Sequence, residues 1–275
     1  MILTGVLPAI TAREKEFAVL QEKTGFIRAI TTSFTNKSFT ILLIAYLVII
    51  GGVFSAGNLP LYINIFYVCG GDRVMAAAIL GMSGSMMAMM SYVSLPLITW
   101  ISVRTSKRFA MIAGLLLAAA GIGSTWWTMT PKWPYLQLVS TFIAGLGLQG
   151  CWLMVSSMTA DVCDEEELLT GLRREGVYGA VLTFVMKAAI AASAILAGAV
   201  LALSGYNTES ANTVGQIDPV VITKMRWLLI AVNTAPLLSA AVMFLFYPIT
   251  RARAEQTQRI LASRRQPPQN SVNDF

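Results

Sequence analysis

Histidine does not occur among the 275 residues, and charged side chains make up only 12% of them. The first absence removes the commonest metal ligand and the usual general base near neutral pH, which excludes a histidine-ligated zinc centre and a Ser–His hydrolase. The second removes the charged skin of a soluble domain, where roughly a quarter of residues are Asp, Glu, Lys or Arg. Cysteine is scarce as well. Cys69, Cys151 and Cys163 fall on the outer face, within a span and on the inner face, so neither a disulfide framework nor a Cys₄ metal site is expected. No nucleophile stands beside a base, and the chain reads as a non-enzyme without catalytic residues or a metal. No Asp or Glu interrupts any of the long apolar runs.

Those runs are what the sequence has in abundance, with hydrophobic residues at 56%. A helix needs about 20 mostly apolar residues to cross a ~30 Å hydrocarbon core. Six stretches meet this: 39–68, 74–101, 109–127, 135–158, 177–203 and 225–247. A β-barrel would show stretches of about 10 residues alternating in polarity, and these runs are unbroken. The expected fold is an all-α integral membrane protein whose six transmembrane helices form one domain over 39–249. The formal net charge of +6 does not indicate nucleic acid, because the basic residues sit in short stretches between apolar blocks. Membrane lipids are the implied surroundings.

Outside the spans, Met1–Ile10 is apolar and too short to cross, since ten residues of helix rise only ~15 Å. It reads as the end of a helix whose beginning is absent. Residues 11–38 read as a polar, partly helical linker. Residues 250–275 read as a basic tail, disordered from about Arg265 onward.

Positive charge sets the expected orientation, because Lys and Arg are retained on the cytoplasmic side. One face collects Arg13, Lys15, Lys23, Arg28, Lys37, Arg104, Lys107, Arg108, Arg173, Arg174, Arg251, Arg253, Arg259, Arg264 and Arg265. The other has Arg73, Lys132, Lys224 and Arg226. The expected placement is a multi-pass protein of the cell membrane with both termini cytoplasmic.

Within the spans, polar residues are few and informative. Lys187 lies about 15 Å into the fifth run by helix rise, where an ammonium costs ~2.5–3.5 kcal/mol on insertion scales. Its stem is too short to reach water from that depth, so a place facing a watery cavity outweighs snorkelling. Asn58, between Gly57 and Pro60, marks a kink in the long first run, because Pro60 cannot donate to the helix ladder; Tyr62 and Asn64 follow it. Gln149 and Trp152 in the fourth run and Asn233 with Pro236 in the sixth are similar polar or bent points. Each of these taken alone reads first as a packing or interhelical hydrogen-bonding residue, and together with Lys187 they form the candidate cavity set. Trp126, Trp127 and Trp133 read as interfacial belt residues. Gly145-Leu-Gly-Leu-Gln-Gly150 has the letters of a dinucleotide fingerprint, but it lies inside a span. That signature has meaning only between a strand and a helix; here small residues let membrane helices approach closely.

The stretch from Ala160 to Gly176 is read as a loop, with Asp161, Asp164 and three consecutive glutamates followed by Arg173, Arg174 and Glu175. Asp161-x-x-Asp164, Thr170-Gly171-x-Arg173-Arg174-Glu175-Gly176, an aromatic and then Lys187 on the next helix resemble the glycoside–pentoside–hexuronide:cation symporters. That is the melibiose-permease-like branch of the major facilitator superfamily. The resemblance extends to Leu7–Glu14, Asn36–Phe39, Leu203–Tyr206, Gln216 and Pro236.

The resemblance implies that the six spans are equivalent to the second half of a twelve-helix carrier, with Met1–Ile10 closing helix six. It implies Lys187 as the charged cavity residue, and Asp161, Arg173, Arg174 and Glu175, with Asp164, as a cytoplasmic gate of alternating access. A Na⁺ or H⁺ coupling ion would be bound mainly by acidic residues of an amino-terminal half, so that site maps onto no residue here, and no other cofactor is expected. The implied partners are that amino-terminal half or a second copy, and a small polar solute such as a sugar. The other readings are a non-transporting membrane remnant or scaffold and a carrier of a lipid-like substrate.

Overall fold

The computed structural model describes residues 36–171, 174–206 and 217–265. The helix end expected at 1–10, nearly all of the 11–38 linker, Arg173, Gln216 and 266–275 lie outside the described residues. Among those described, the architecture is entirely helical. Six helices among the described residues are long and apolar enough to cross a membrane.

Span one is α1 (Lys37–Ser55), a short α2 (Leu59–Ile63) and a π-helical turn (Asn64–Val68). Asn36 caps α1 by accepting from the backbone N–H of Ser38 and Phe39. The expected kink is a full break at 56–58, with Gly57 in the left-handed region at φ +50°. A Cβ there would also meet the Ala197 side chain of span five at 2.7 Å, so glycine serves both the backbone and the packing. Spans two to six are α3 (Arg73–Arg104), α4 (Lys107–Thr128), α5 (Gln137–Thr170), α6 (Glu175–Leu203) and α7 (Pro219–Leu245). Span six begins before the apolar run does, because Asp218 caps it by accepting from Val220 N–H and Pro219 presets its first turn.

One expectation needs correction. The acidic stretch carrying Asp161 and Asp164 is not a loop. It continues α5 as helix to Thr170, where Gly171 stops it at φ +72° with its N–H on the Glu167 carbonyl. Glu and Leu are good helix formers, and partners on neighbouring elements hold the acids in place. The basic tail, for which no element was expected before Arg265, begins as a helix, α8 (Arg251–Arg265). Arg251 pairs with Glu255 one turn on, and Thr257 and Leu261 are buried.

The helices pack in the order α6, α1, α7, α4, α5, α3, and α1 meets α5 to close the bundle. One core runs along α1, α4, α5 and α7 through Phe39, Ile50, Met111, Leu115, Met158 and Phe244. In lipid such burial carries no hydrophobic gain between helices; close packing and interhelical hydrogen bonds hold them. Gly147 brings α5 against Gly114 and Ala118 of α4, and Gly145 and Gly150 face Met87, Met90, Ser94 and Ile98 of α3. The glycine pattern is therefore a packing device on two faces of α5. Spans two and five are left bare: 17% of the most apolar stretch of each is buried, against 56% in span one.

Candidate functional site

The polar residues expected to line one cavity fall into separate places. Lys187 follows Glu175 by twelve residues and precedes Leu203 by sixteen, about 18 Å and about 24 Å from the two helix ends. Span five turns Tyr178, Val181, Ala189 and Ser193 inward. Lys187 lies two residues from Ala189, a turn of about 200°, and its side chain is exposed. Asn58 is exposed at the break in span one, and the Tyr62 ring lies 4.6 Å from Tyr206. Trp152 meets Tyr46 edge-on at 5.7 Å where α5 touches α1. One turn earlier, Gln149 donates to the Met87 carbonyl of span two at 3.3 Å.

Asn233 is buried and donates to the Leu229 carbonyl at 2.7 Å. It lines a partly open cavity of about 280 Å³ with the span-one break, Asn64, Gln137, Ser140 and Thr141. That space holds several waters, at about 30 Å³ each. Its polar wall is built: Gln137 donates to Asn64 Oδ1 at 2.7 Å, and Asn64 donates to the Pro60 carbonyl at 2.9 Å. Spans one, two, three, four and six contribute to it, whereas Lys187 belongs to span five. The structure does not bring Asn233 and Lys187 into one site. Gln137 had no place in the sequence reading, because it lies at the very start of a span, where polar residues are unremarkable.

The charged end of the bundle is more concentrated than the sequence indicates. Asp161 and Glu165, one turn apart, and the adjacent Glu166 are buried on the end of α5. Lys107, at the start of span three, reaches Asp161 at 2.7 Å and the Ser157 carbonyl at 3.2 Å. Arg253 of α8 reaches Glu165 at 2.5 Å, and Ser38 of span one donates to the same carboxylate at 3.1 Å. Arg174 lies 3.6 Å from Glu166, which also accepts from Asn36 at 3.3 Å. Asp164 is partly buried and Glu175 exposed at the head of span five. Three acids of one helix thus fasten spans one and three, α8 and the approach to span five. Lys107, Arg253 and Glu165 escaped the sequence reading as partners, since their pairs join residues more than fifty positions apart, which carry no local signal; Glu166 escaped it although Arg174 is only eight positions on.

Removing one member of a buried pair costs ~3–5 kcal/mol, but Lys107 is 33% exposed, which brings the expected cost of Asp161→Ala nearer ~1–2 kcal/mol. Lys107→Ala should cost a similar amount. The double variant should cost less than the two together in detergent unfolding, and strict additivity would show that the pair is uncoupled.

At the opposite end Arg226 of span six lies between the rings of Tyr67 and Trp126, 4.7 and 4.5 Å from their centroids. It donates to the Tyr67 hydroxyl at 3.3 Å and to the Trp126 carbonyl. Trp126 therefore ties spans three and six together, beyond the belt role expected of it, while Trp127 and Trp133 are exposed.

Comparison with known proteins gives this geometry its context. The family model described as MFS/sugar transport protein matches residues 1–251. This chain belongs to that family. Its members are transport proteins rather than enzymes. The chain is 26% identical over 254 residues to "Uncharacterized symporter sll1374" of Synechocystis sp. (strain ATCC 27184 / PCC 6803 / Kazusa), covering 89% of this chain and 44% of the relative. It is 27% identical over 182 residues to "Glucuronide carrier protein homolog" of Escherichia coli (strain K12), covering 66% of this chain and 38% of the relative. The chain thus spans less than half the length of the curated relatives it matches. It is a multi-pass membrane protein of a sugar-transport family, a six-helix bundle of the major facilitator kind.

Proposed function

We propose that this chain forms one six-helix wall of a secondary transporter that moves a small polar solute, a sugar or glycoside, by alternating access coupled to Na⁺ or H⁺. The six spans correspond in this reading to the second half of a twelve-helix carrier. The other six helices belong to the same longer protein, to a separate chain or to a second copy. Lys187 is the observation that carries the reading. A lysine near mid-helix, on a face that the bundle leaves bare, is costly in lipid but suited to a watery crevice between two halves. Its ammonium has three donors for the hydroxyls or carboxylate of a sugar-like solute. In carriers of this kind solute binds near the midplane while the two halves rock about it. Trp152, Gln149, Asn58, Tyr62 and Asn233 stand apart from Lys187 within the bundle, and in this reading they serve packing and the Asn233 cavity rather than the Lys187 face. The hub of Asp161, Glu165 and Glu166 forms the gate end, with Arg174, Glu175 and Asp164 beside it and Arg173 following in sequence. It stands on the cytoplasmic side, where the positive charges collect.

Single cysteines introduced after replacing Cys69, Cys151 and Cys163 test both crevice and orientation. A water-soluble, membrane-impermeant thiol reagent should label position 187 in the assembled carrier and position 132 in intact cells. Position 107 should react only after permeabilisation. Protection of position 187 from water under all conditions contradicts the crevice, and labelling of 107 in intact cells inverts the orientation.

A further inference from the structure

At the charged end, a second cavity of about 210 Å³ lies between the turn joining spans two and three, the end of α5 and α8. Tyr247, which follows span six, lines it and is only 3% exposed, yet its hydroxyl has no hydrogen-bond partner. Such a group is expensive to leave unmade. Burial pushes the phenol well above its ordinary pKa, and the nearby charges of Asp161 and Glu165 act in the same direction, so it remains a donor. The start of α4 opens on the same cavity. Ser106 caps it by accepting from Phe109 N–H, and Ala110 N–H goes to the Ser106 carbonyl. The N–H groups of Lys107 and Arg108 are left among the unsatisfied donors that make a helix start attractive to anions.

The charges that line the cavity balance. The two carboxylates on the wall are already neutralised, Asp161 by Lys107 at 2.7 Å and Glu255 by Arg251 at 2.7 Å. Two further guanidiniums lie beside the cavity without lining it, and neutral groups hold both. Arg104 lies over the Trp100 ring at 4.4 Å, and Arg108 donates to the carbonyls of Leu245 and Tyr247. Val103 joins the cavity to an apolar furrow on span two lined by Leu95, Pro96 and Trp100. A polar socket with unpartnered donors, guanidiniums close by and an adjoining apolar channel, at the end of a membrane helix, matches a phosphate head with a chain attached.

We propose that this socket binds the phosphate of an anionic phospholipid, held by the Tyr247 hydroxyl, the first N–H groups of α4, and Lys107 and Arg251. Basic residues immediately beyond a span attract anionic lipid, and a bound lipid would brace α8 against the turn between spans two and three. The site lies apart from Lys187 and does not depend on which solute is moved.

The test uses the full chain in mild detergent, with thermal unfolding followed as lipid is added. Phosphatidylglycerol at tenfold over its dissociation constant should raise the melting temperature by about 3–6 °C, and phosphatidylcholine should do less. Tyr247→Phe should leave the lipid-free melting temperature unchanged or slightly higher, because it removes an unpartnered buried hydroxyl, and should abolish most of the phosphatidylglycerol shift. Arg251→Gln should weaken the shift without abolishing it. Equal shifts with both lipids, or an undiminished phosphatidylglycerol shift in Tyr247→Phe, would overturn the proposal. A shift with inorganic phosphate but none with phosphatidylglycerol would overturn lipid as the carrier of the phosphate.

Discussion

Lys187→Met is expected to insert and fold as well as the parent chain, or slightly better, and to lose solute transport in the assembled carrier. Insertion improves because an ammonium at mid-span costs ~2.5–3.5 kcal/mol, and the exposed side chain takes no part in the packing face of span five. Transport fails because a charged hydrogen bond to solute contributes ~1.5–3 kcal/mol, on the order of 10- to 150-fold in apparent affinity. Lys187→Arg keeps the charge but replaces a compact ammonium with a planar fork, so only partial recovery is expected. Uptake of labelled glycoside at several concentrations separates these outcomes. Parental uptake by Lys187→Met would reduce Lys187 to a tolerated interfacial charge.

The largest structural effect is expected at Gly147. A Cβ there would stand 2.3 Å from the Gly114 carbonyl oxygen and 2.5 Å from the Ala118 nitrogen, both backbone atoms of span three that cannot turn aside. Gly121 is the reciprocal case, with a Cβ 2.3 Å from the Ala144 nitrogen. Overpacking costs ~1–3 kcal/mol when side chains can shift; here the helices themselves must part. Gly147→Val and Gly121→Val should therefore yield little folded protein by size-exclusion chromatography. Gly145→Ala meets the flexible side chains of Met87 and Met90 at 3.0–3.1 Å and should be milder. Gly123→Ala meets nothing within 4 Å and should be neutral. A flat response across this series would mean that spans three and four are not packed as described.

The contrast between these sites shows what the linear sequence can disclose. Membrane spans are legible because length and apolarity are properties of one stretch of chain. Lys187 stands out in the sequence because a charge inside such a stretch needs a reason; the structure adds that its side chain is exposed on span five. The break near Asn58 follows from Gly57 and Pro60, and the glycine pattern was rightly read as packing because its surroundings forbid a strand. The helix through Asp161 to Thr170 was missed because dense acidity resembles a solvated loop. Its stability comes from Lys107, Arg253 and Ser38, which are far away in sequence. The Arg226 clamp was hidden for the same reason, since it joins residues near 67, 126 and 226. The helical tail was missed because its composition is that of a soluble surface helix, and only the burial of Thr257 and Leu261 shows where it docks.

Reconstitution tests the central claim that this chain is one wall of a carrier. The purified chain is placed in sealed vesicles with an imposed Na⁺ or proton gradient, alone and together with a matching amino-terminal six-helix body. Accumulation of labelled sugar or glycoside is then followed, with cross-linking to report whether the chain pairs with itself. Alone and unpaired, it should accumulate nothing above leak, while the combined preparation should concentrate solute and lose that capacity in Lys187→Met. Gradient-driven accumulation at full rate by the single, unpaired chain would contradict the account.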